Sequence, residues 1–457
     1  MDDLYPFLDD YAGKFKDTTT AQDLKDLVDL LYPFNYSVSG NDSHKVESTM
    51  LSLISFRVTE FPSFSNLRGW QIPAGWDVDE AKIYHDGKCI YDCLKHTKLG
   101  CAYLSPSFSG VVSRKELQQH CTWREDLPGA TVYDWTRLYR IAKRKDWGLS
   151  IPKAILDQLP SDQLEIVIKT STYPSSMKVY DFLLPGTSDR EIIINAHNCH
   201  PYQANDDVSG CAIGIALIKT LSAIKTRRYS YRLLIAPELF GPMFWLEDHI
   251  KDYTKVKGAI LLKSLGNSEP LQLQKSFNAD TVLDIAAQIA LKIDKSDQRT
   301  HSFRSYYGND ETVFEAPGIE IPSITFTRFP FLQYHTDQDI PGIIDTQSLL
   351  DSYKSVLECI RLIESDAYAT RVETGLYCLS NPIYDLYKSA PEPGISNAGI
   401  SSYAKTWNLL MNCFTRELHA GKTLLQIASE YKIPALYLIE YAKEWHQKGL
   451  ISLSYYD

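Results

Sequence analysis

At 457 residues the chain is too long for one compact hydrophobic core, and its length predicts two to four domains. A content of 44% hydrophobic and 23% charged residues is ordinary for a soluble globular protein. The formal net charge of −10 argues against nucleic acid as the main partner, because binding to phosphate groups requires a basic surface.

The N-terminal segment is acidic and lacks the basic and apolar regions of a secretory signal, and no run of 18 apolar residues occurs in the chain. We therefore expect a cytoplasmic protein that does not enter a membrane. Two helices are predicted before residue 65. The first contains leucines at helical spacing between Leu24 and Leu31 and ends at Pro33, and the second covers residues 42–61.

Short β-rich segments follow over about residues 70–150, and they predict a small antiparallel β unit. Strands and helices then alternate, beginning with the strand EIIINAH and the apolar helix VSGCAIGIALIKTLSAI. Strands that are apolar on both faces and alternate with helices indicate an α/β sheet covered on both sides. Ligands bind at the carboxyl ends of such strands, and His197, Glu238 and Ser264 fall at or just past those ends.

The last 55 residues predict two helices on either side of Ile433-Pro434 and a final strand after Gly449, which is the order of a winged helix-turn-helix. From residue 406 onward this segment has five basic and five acidic residues. A net charge of zero does not favour DNA binding. We expect a module for protein interaction or for assembly into a homo-oligomer.

Side chains that bind metal ions are concentrated after the strand that ends at His197. Zinc in hydrolases binds histidine nitrogens and carboxylate oxygens and keeps one position open for water. The segments HNCHPYQANDDVSG, APEL and YHTDQD supply both kinds of ligand, although each residue could also be an ordinary polar residue that finds partners within the fold. The candidates are His197, His200, Asp206, Asp207, Glu238 and His335, with Asp337 and Asp339 nearby.

These motifs resemble those of the di-zinc exopeptidases, which have a zinc-dependent aminopeptidase-like fold, over about residues 150–365. Nearly the whole chain is also similar to bacterial aminopeptidase-like proteins of polysaccharide biosynthesis, in CHPYQANDDVSG, APEL, YGNDETVFEAPGIEIPSITFTR and YHTDQD. The resemblance implies a zinc-exopeptidase-like mixed α/β sheet with helices on both faces, a small inserted β domain and a C-terminal winged helix. The predicted domains are a core of residues 1–65 with 150–370, an insertion of residues 66–149, and a winged helix of residues 371–457.

Carried over residue by residue, the resemblance makes Asp206 the carboxylate that bridges two metals and His335 the late metal ligand. The first histidine is either His197, which matches the strand end, or His200, which belongs to the Cys-His-Pro motif. Three positions depart from the pattern: Cys199 replaces an orienting aspartate, Pro237 replaces the usual general base, and Lys263 or Ser264 replaces the third carboxylate ligand. A cation at the last position would oppose a second metal, so we expect one zinc ion rather than two.

The general base is then Glu238, unless Glu238 is itself a ligand. The alternative base is Glu311 or Asp310, in a segment that could also be an ordinary solvated loop. The residues predicted to bind substrate are Asp207, Asp310, Tyr307 and Arg328, with Tyr306 as a further possibility.

The leading hypothesis is a zinc-dependent hydrolase of a peptide or amide bond. By resemblance, its substrate is a small peptide or an aminoacyl or acyl-amino compound in the biosynthesis of a polysaccharide or another secondary product. A second hypothesis is an inactive aminopeptidase fold that serves as a binding or scaffold protein, which Pro237 and the missing carboxylate favour. A third, less favoured hypothesis is a regulator that acts through the winged helix.

Overall fold

The computed structural model describes residues 17–40, 42–293, 296–387 and 402–454. Its strands are β1 (Arg57–Pro62), β2 (Asn66–Leu67), β3 (Trp70–Gln71), β4 (Gly75–His85), β5 (Lys88–Asp92), β6 (Phe108–Val112), β7 (Cys121–Thr122), β8 (Leu149–Ser150), β9 (Leu164–Tyr173), β10 (Ser176–Leu184), β11 (Glu191–His197), β12 (Ser230–Ala236), β13 (Val256–Lys263), β14 (Gln272–Gln274), β15 (Thr300–His301), β16 (Ser323–Thr327), β17 (Tyr368–Arg371) and β18 (Ile451–Ser454).

The α-helices are α1 (Ala21–Leu31), α2 (Ser43–Leu53), α3 (Arg114–Gln119), α4 (Thr136–Tyr139), α5 (Lys153–Leu156), α6 (Ser209–Ser222), α7 (Phe240–His249), α8 (Val282–Leu291), α9 (Glu311–Phe314), α10 (Thr346–Ser365), α11 (Ser402–Glu417), α12 (Leu424–Tyr431) and α13 (Ala435–Gln447).

A mixed sheet of eight strands, in the order β1-β10-β12-β11-β13-β16-β14-β15, forms the centre of the fold. The strands β12, β11, β13 and β16 run parallel to their neighbours in this group, whereas β1 and β10 are antiparallel additions at one side. Because β12, β11 and β13 are parallel and adjacent, their carboxyl ends meet at one edge of the sheet. This arrangement confirms the predicted α/β class.

The apolar strands bury side chains on both faces of this sheet. In β11, Ile192 and Ile194 pack into the cluster that contains α6, whereas Ile193 packs on the opposite face with Phe240 and Trp245 of α7. Successive side chains of a strand point to opposite faces, so a strand that is apolar at every position requires a cover on each side. Helices on both faces provide that cover, as the sequence predicts.

The first predicted helix is confirmed and the second is too long. The Thr20 side chain accepts a hydrogen bond from the Asp23 amide at 3.1 Å, and Asp23 accepts one from the Thr20 amide at 2.9 Å, which caps α1. α2 ends at Leu53, and Arg57–Pro62 form β1 instead of more helix. β1 pairs with β10, more than a hundred residues later in the chain, and such a distant partner overrides local helical spacing.

The β-rich segments form a second, four-stranded antiparallel sheet with the order β5-β4-β9-β6. β9 ends at Tyr173, beyond the predicted limit of the insertion at residue 149. We propose that the inserted unit extends to residue 173, while the division into domains stays a prediction.

Near the C-terminus, α12 and α13 are joined by residues 432–434, and β18 pairs antiparallel with β17. The predicted order of helix, turn, helix and strand is therefore present, while its description as a winged helix stays a prediction. In the part of the chain that the structure describes, no helix combines the length and the apolar character that crossing a membrane requires.

Candidate metal centre

The carboxyl ends of three parallel strands bring the predicted site residues together. His197 ends β11, Lys263 ends β13, and Glu238 follows β12 by two residues. His197 and Lys263 are fully buried, and Glu238 is partly exposed. The position that departs from the exopeptidase pattern is therefore filled by Lys263, whose side chain enters the site.

Asp206 lies at the centre of this group, in the turn Ala204–Val208. The Asp339 carboxylate accepts hydrogen bonds from the backbone amides of Asn205, at 2.7 Å, and Asp206, at 3.0 Å. The side chain of Asp206 is completely buried. Asp339 thus fixes the turn that presents the Asp206 carboxylate to the strand ends.

One oxygen of Asp206 is paired with a cation that belongs to the chain. Lys263 Nζ donates to Oδ1 of Asp206 and lies 2.6 Å from Nε2 of His197, which is itself 3.2 Å from the same oxygen. Although burial disfavours both charges, the Lys263 ammonium holds the pKa of Asp206 well below its usual value, and Asp206 raises the pKa of Lys263. Burial and the nearby ammonium lower the pKa of His197 to about 3, so its ring is neutral.

The other oxygen of Asp206 faces two histidines. Oδ2 lies 3.2 Å from Nε2 of His335 and 3.5 Å from Nε2 of His200. Burial lowers the pKa of His335 to about 4, so this ring is neutral near pH 7 and can act as a ligand. The ligand atoms of His200, Asp206 and His335 all lie within 4.8 Å of one another.

The hydrogen bond on the far side of His200 determines what this ring presents to Asp206. Nδ1 of His200 lies 2.9 Å from the carbonyl oxygen of Pro201. Because a carbonyl only accepts, Nδ1 carries a proton, and Nε2 is the ring nitrogen that faces Asp206 and is available to a metal ion. Both Nε2 of His200 and Oδ2 of Asp206 are buried, and neither has a hydrogen-bond partner among the described residues. A metal ion between these two buried atoms would satisfy both of them.

The ligand set formed by His200, Asp206 and His335 fits one zinc ion. Two ligands that are each about 2.0–2.1 Å from a tetrahedral zinc ion lie about 3.3 Å apart. The measured separations of 3.2 and 3.5 Å from Asp206 Oδ2 to the two Nε2 atoms agree with that value. Three ligands of this kind leave the fourth position for water, as in catalytic zinc sites.

Aromatic rings from distant parts of the chain hold the two histidines. Tyr133, from the β-rich segment, stacks on His200 with ring centroids 4.6 Å apart, and Tyr334 stacks on His335 at 3.9 Å. The Tyr133 amide also donates to the His335 carbonyl at 2.8 Å. The segment predicted to be an insertion therefore contacts both candidate histidines directly, and rings packed in this way have little freedom to turn.

Comparison with known proteins shows which family the chain belongs to. A family described as Domain of unknown function (DUF4910) matches residues 25–366. The chain belongs to this family. A curated relative in Clostridium acetobutylicum, named as a presumed polysaccharide biosynthesis protein with an aminopeptidase-like domain, is 27% identical over 354 residues, which cover 76% of this chain and 79% of the relative.

Solved structures show the fold of this family member. A presumed peptidase from Clostridium acetobutylicum has a TM-score of 0.74 at 22% identity, covering 95% of this chain and 96% of that one. A zinc aminopeptidase from Bacillus subtilis has a TM-score of 0.51 at 12% identity, covering 76% and 95%. An M28 peptidase precursor from Shewanella amazonensis has a TM-score of 0.53 at 14% identity, covering 79% and 96%. The predicted resemblance and the zinc-exopeptidase-like fold are confirmed.

In this family member, three acidic residues stand beside the ligand set. Partial removal from water, together with the nearby charges of Asp206 and Glu311, raises the pKa of Glu238 to about 7, although Lys263 acts in the opposite direction. Asp310 accepts a hydrogen bond from the Leu239 amide at 2.6 Å, which ties α9 to the segment that holds Glu238. Both oxygens of Glu311 accept from the Asn309 amide, and burial raises the pKa of Glu311 to about 7. The segment around Glu311 is buried, so it is not an ordinary solvated loop.

The structure brings His197 and Glu238 together with Cys199 in a second group, whose ligand atoms also lie within 4.8 Å of one another. Burial raises the pKa of the Cys199 thiol well above its usual value, so the thiol keeps its proton. His197 already contacts Lys263, and its Nδ1 lies 3.3 Å from the Asn309 side-chain amide. This group is therefore less suited to a metal ion than the group around His200.

The predicted substrate-binding residues have different surroundings. Asp207 accepts hydrogen bonds from the amides of Ser264, Gly210 and His197, which makes it part of the frame of the site. The Tyr307 ring lies 5.1 Å from Lys263 Nζ, and its hydroxyl is 3.1 Å from that of Tyr334. The Tyr306 hydroxyl donates to the Phe329 carbonyl, and the Tyr306 ring stacks on His301.

The Arg328 side chain binds groups outside the two candidate metal groups. Its guanidinium donates to the Ser352 hydroxyl at 2.8 Å, to the Ser348 carbonyl at 3.0 Å and to the Glu269 carbonyl. These bonds give Arg328 a structural role next to α10. We therefore do not propose it as a substrate ligand.

Residues next to the site adopt backbone conformations that are rare outside glycine. Tyr202, Leu239, Ser264 and His335 have φ angles of 53°, 61°, 52° and 56°. Each of them is a predicted site residue or lies within two residues of one. Such conformations cost of order 1–3 kcal/mol each and tend to cluster at functional sites. Eleven other residues outside glycine in the described part of the chain also have positive φ, so these angles accompany the site without identifying it.

Sequence reasoning did not find Asn309, Tyr133 or Tyr334 as parts of the site. Tyr334 directly precedes His335, and Asn309 directly precedes Asp310, so both adjoin residues that the motifs identify. Tyr133 lies in the insertion and no motif points to it. Its contact with His200 follows from the packing of the insertion onto the core.

Proposed function

We propose that this protein is a zinc-dependent hydrolase of a peptide or amide bond, with His200, Asp206 and His335 as zinc ligands. The observation that supports this most strongly is the pair of buried atoms, Nε2 of His200 and Oδ2 of Asp206, which face each other at 3.5 Å without a hydrogen bond among the described residues. A zinc ion between them would satisfy both. When bound there, zinc lowers the pKa of a water molecule and polarises a carbonyl group.

Glu238 is the residue best suited to move the proton. It belongs to the group around His197 rather than to the set of three ligands, and it is partly exposed, so a substrate can reach it. A pKa of about 7 is close to the optimum for a general base near neutral pH. Asp207 and Asp339 hold the backbone of the site, and the rings of Tyr133 and Tyr334 keep the histidines in place.

The choice between His197 and His200 can be tested by zinc content. We expect His200→Ala and His335→Ala to lose zinc, because each removes one of three ligands, whereas His197→Ala keeps close to one ion per chain. Elemental analysis of purified, gel-filtered protein measures the difference. His301→Ala is the matched control, since this ring stacks on Tyr306 and belongs to neither candidate metal group. Zinc loss in His197→Ala, with zinc kept in His200→Ala, would reverse the assignment.

Glu238→Gln should keep its zinc and lower kcat by about 10²–10⁴-fold, because the amide cannot accept the proton. The assay uses a panel of chromogenic aminoacyl and acyl-amino amides together with zinc analysis. Glu315→Gln is the control, because this carboxylate accepts hydrogen bonds from the Phe277 and Ser323 amides outside the metal groups. If Glu238→Gln loses zinc, Glu238 is a ligand, and Glu311→Gln becomes the variant expected to lose turnover alone.

The second candidate function is that of an inactive scaffold with a retained metal site. Pro237 at the usual base position favours it. Full zinc occupancy without hydrolysis of any amide in the panel would support the scaffold and reject the hydrolase. The name of the Clostridium relative supports a setting in polysaccharide biosynthesis, with a small aminoacyl or acyl-amino compound as substrate. Assembly through the C-terminal helices stays a prediction.

A further inference from the structure

The two oxygens of Asp206 have opposite surroundings. Oδ1 is bound by the Lys263 ammonium, next to Nε2 of His197. Oδ2 faces Nε2 of His200 and of His335 and has no hydrogen-bond partner among the described residues. Each oxygen is thus paired with imidazole nitrogen, but only one of the two sides already contains a positive charge.

We propose that the Lys263 ammonium permanently occupies one of two cation positions around Asp206, so that the protein binds a single metal ion on the other side. The proposal rests on the proposed metal centre at His200, Asp206 and His335. In this proposal Lys263 takes the place of a second metal ion, because its ammonium supplies the positive charge beside Oδ1 of Asp206.

The surroundings of Lys263 hold its side chain beside Asp206. The residue is fully buried, and it is the last residue of β13, a strand with neighbours on both sides. The rings of Tyr307 and Tyr334 lie 5.1 and 6.0 Å from Nζ, and aromatic faces attract an ammonium group. A divalent ion placed between His197 and Asp206 would meet this fixed charge at close range and be repelled.

A lysine in this position also prepares the site before any metal arrives. Without Lys263, Asp206 would be a buried carboxylate with no positive charge beside it in the metal-free protein, and a buried unpaired charge is unstable. With Lys263, the carboxylate has a cation at its Oδ1, and its other oxygen already faces the two histidines. Lys263 is therefore a positioning residue for the metal ligand Asp206.

The number of metal ions per chain tests the proposal. Purified chains are saturated with excess zinc, gel-filtered and subjected to elemental analysis. We expect one ion in the wild type and two in Lys263→Asp, because the substitution exchanges the ammonium for a carboxylate ligand beside His197. Adding His200→Ala should reduce the number of ions from one to none in the otherwise wild-type chain, and from two to one in Lys263→Asp. Lys178→Asp is the control, because Lys178 is a buried lysine on β10 that pairs with Glu47 and Glu60. If this variant folds, it should bind one metal ion per chain.

The number of metal ions in each chain decides between the proposal about Lys263 and its alternatives. Two ions in the wild type would overturn the proposal about Lys263 while leaving the hydrolase intact, whereas none would reject the metal centre itself and with it the proposed function. One ion in a folded Lys263→Asp chain would also overturn the proposal. Lys263→Glu serves as a second variant, with circular dichroism as the measure of folding. If neither variant folds, the wild-type count decides, since one ion supports the proposal and two ions overturn it.

Discussion

Asp206→Ala is expected to remove the zinc ion and to destabilise the metal-free protein by about 3–5 kcal/mol. Asp206 is a proposed metal ligand and, at the same time, the carboxylate that pairs with the buried Lys263. Breaking a buried ion pair from one side leaves an uncompensated charge in the interior, which costs about this much. Urea unfolding of chelator-treated protein gives the free energy of unfolding, and elemental analysis gives the zinc content.

Two further variants separate these effects. His335→Ala should lose zinc and leave the Asp206–Lys263 pair in place, so the stability of the metal-free chain should change by less than about 2 kcal/mol. Asp181→Ala should do the reverse, because Asp181 is a buried carboxylate that pairs with Arg232 at 2.6 Å, away from the strand ends. It should destabilise the protein and keep zinc. If metal-free Asp206→Ala is as stable as the wild type, the ion pair with Lys263 contributes nothing and its role must be abandoned.

Most of the central fold could be predicted from the sequence, because local sequence patterns indicate its strands and helices. Strands that are apolar at every position, such as β11, alternate with helices, and this pattern requires a sheet covered on both faces. The same reasoning places His197, Glu238 and Ser264 at one edge, since the carboxyl ends of adjacent parallel strands meet there. β1 was missed because its partner β10 lies far along the chain.

Only part of the proposed ligand set could be predicted from the sequence. The motifs identify Asp206 and His335, but they do not decide between His197 and His200, which are three residues apart. The observation that favours His200 in the proposed ligand set is a hydrogen bond, from Nδ1 of His200 to the Pro201 carbonyl, with Nε2 facing Asp206. The orientation of the His200 ring cannot be predicted from the pattern of residue types. It depends on how the segment after β11 folds back against the insertion.

The role of Lys263 needed both kinds of information. The sequence shows a lysine where a carboxylate ligand is expected, and a positive charge there opposes a second metal ion. Only the structure shows that its ammonium reaches Asp206, a residue 57 positions away in the chain. Lys263 and Arg328 are both buried cations at the carboxyl ends of strands of the same sheet, yet one binds Asp206 and the other binds carbonyl groups near α10. Charge and position along the chain do not distinguish them.

Lys263→Met should destabilise the metal-free protein by about 3–5 kcal/mol and the zinc-saturated protein by clearly less. Methionine keeps most of the packing against Tyr307 and Tyr334 but removes the charge, so Asp206 is left as an unpaired buried carboxylate. Zinc bound at Oδ2 supplies positive charge to the same carboxylate and offsets much of the loss. Urea unfolding with and without excess zinc measures both values.

The control is Lys178→Met, because Lys178 is also buried in the large sheet but pairs with Glu47 and Glu60, away from the metal groups. Its loss of stability should be the same with and without zinc, since no metal ion can replace its charge. A ligand that binds only the folded state stabilises it by an amount set by its affinity. A loss at Lys263 that zinc does not reduce would therefore mean that zinc and the ammonium do not act on the same carboxylate, and Asp206 could not be the residue that joins the two cation positions.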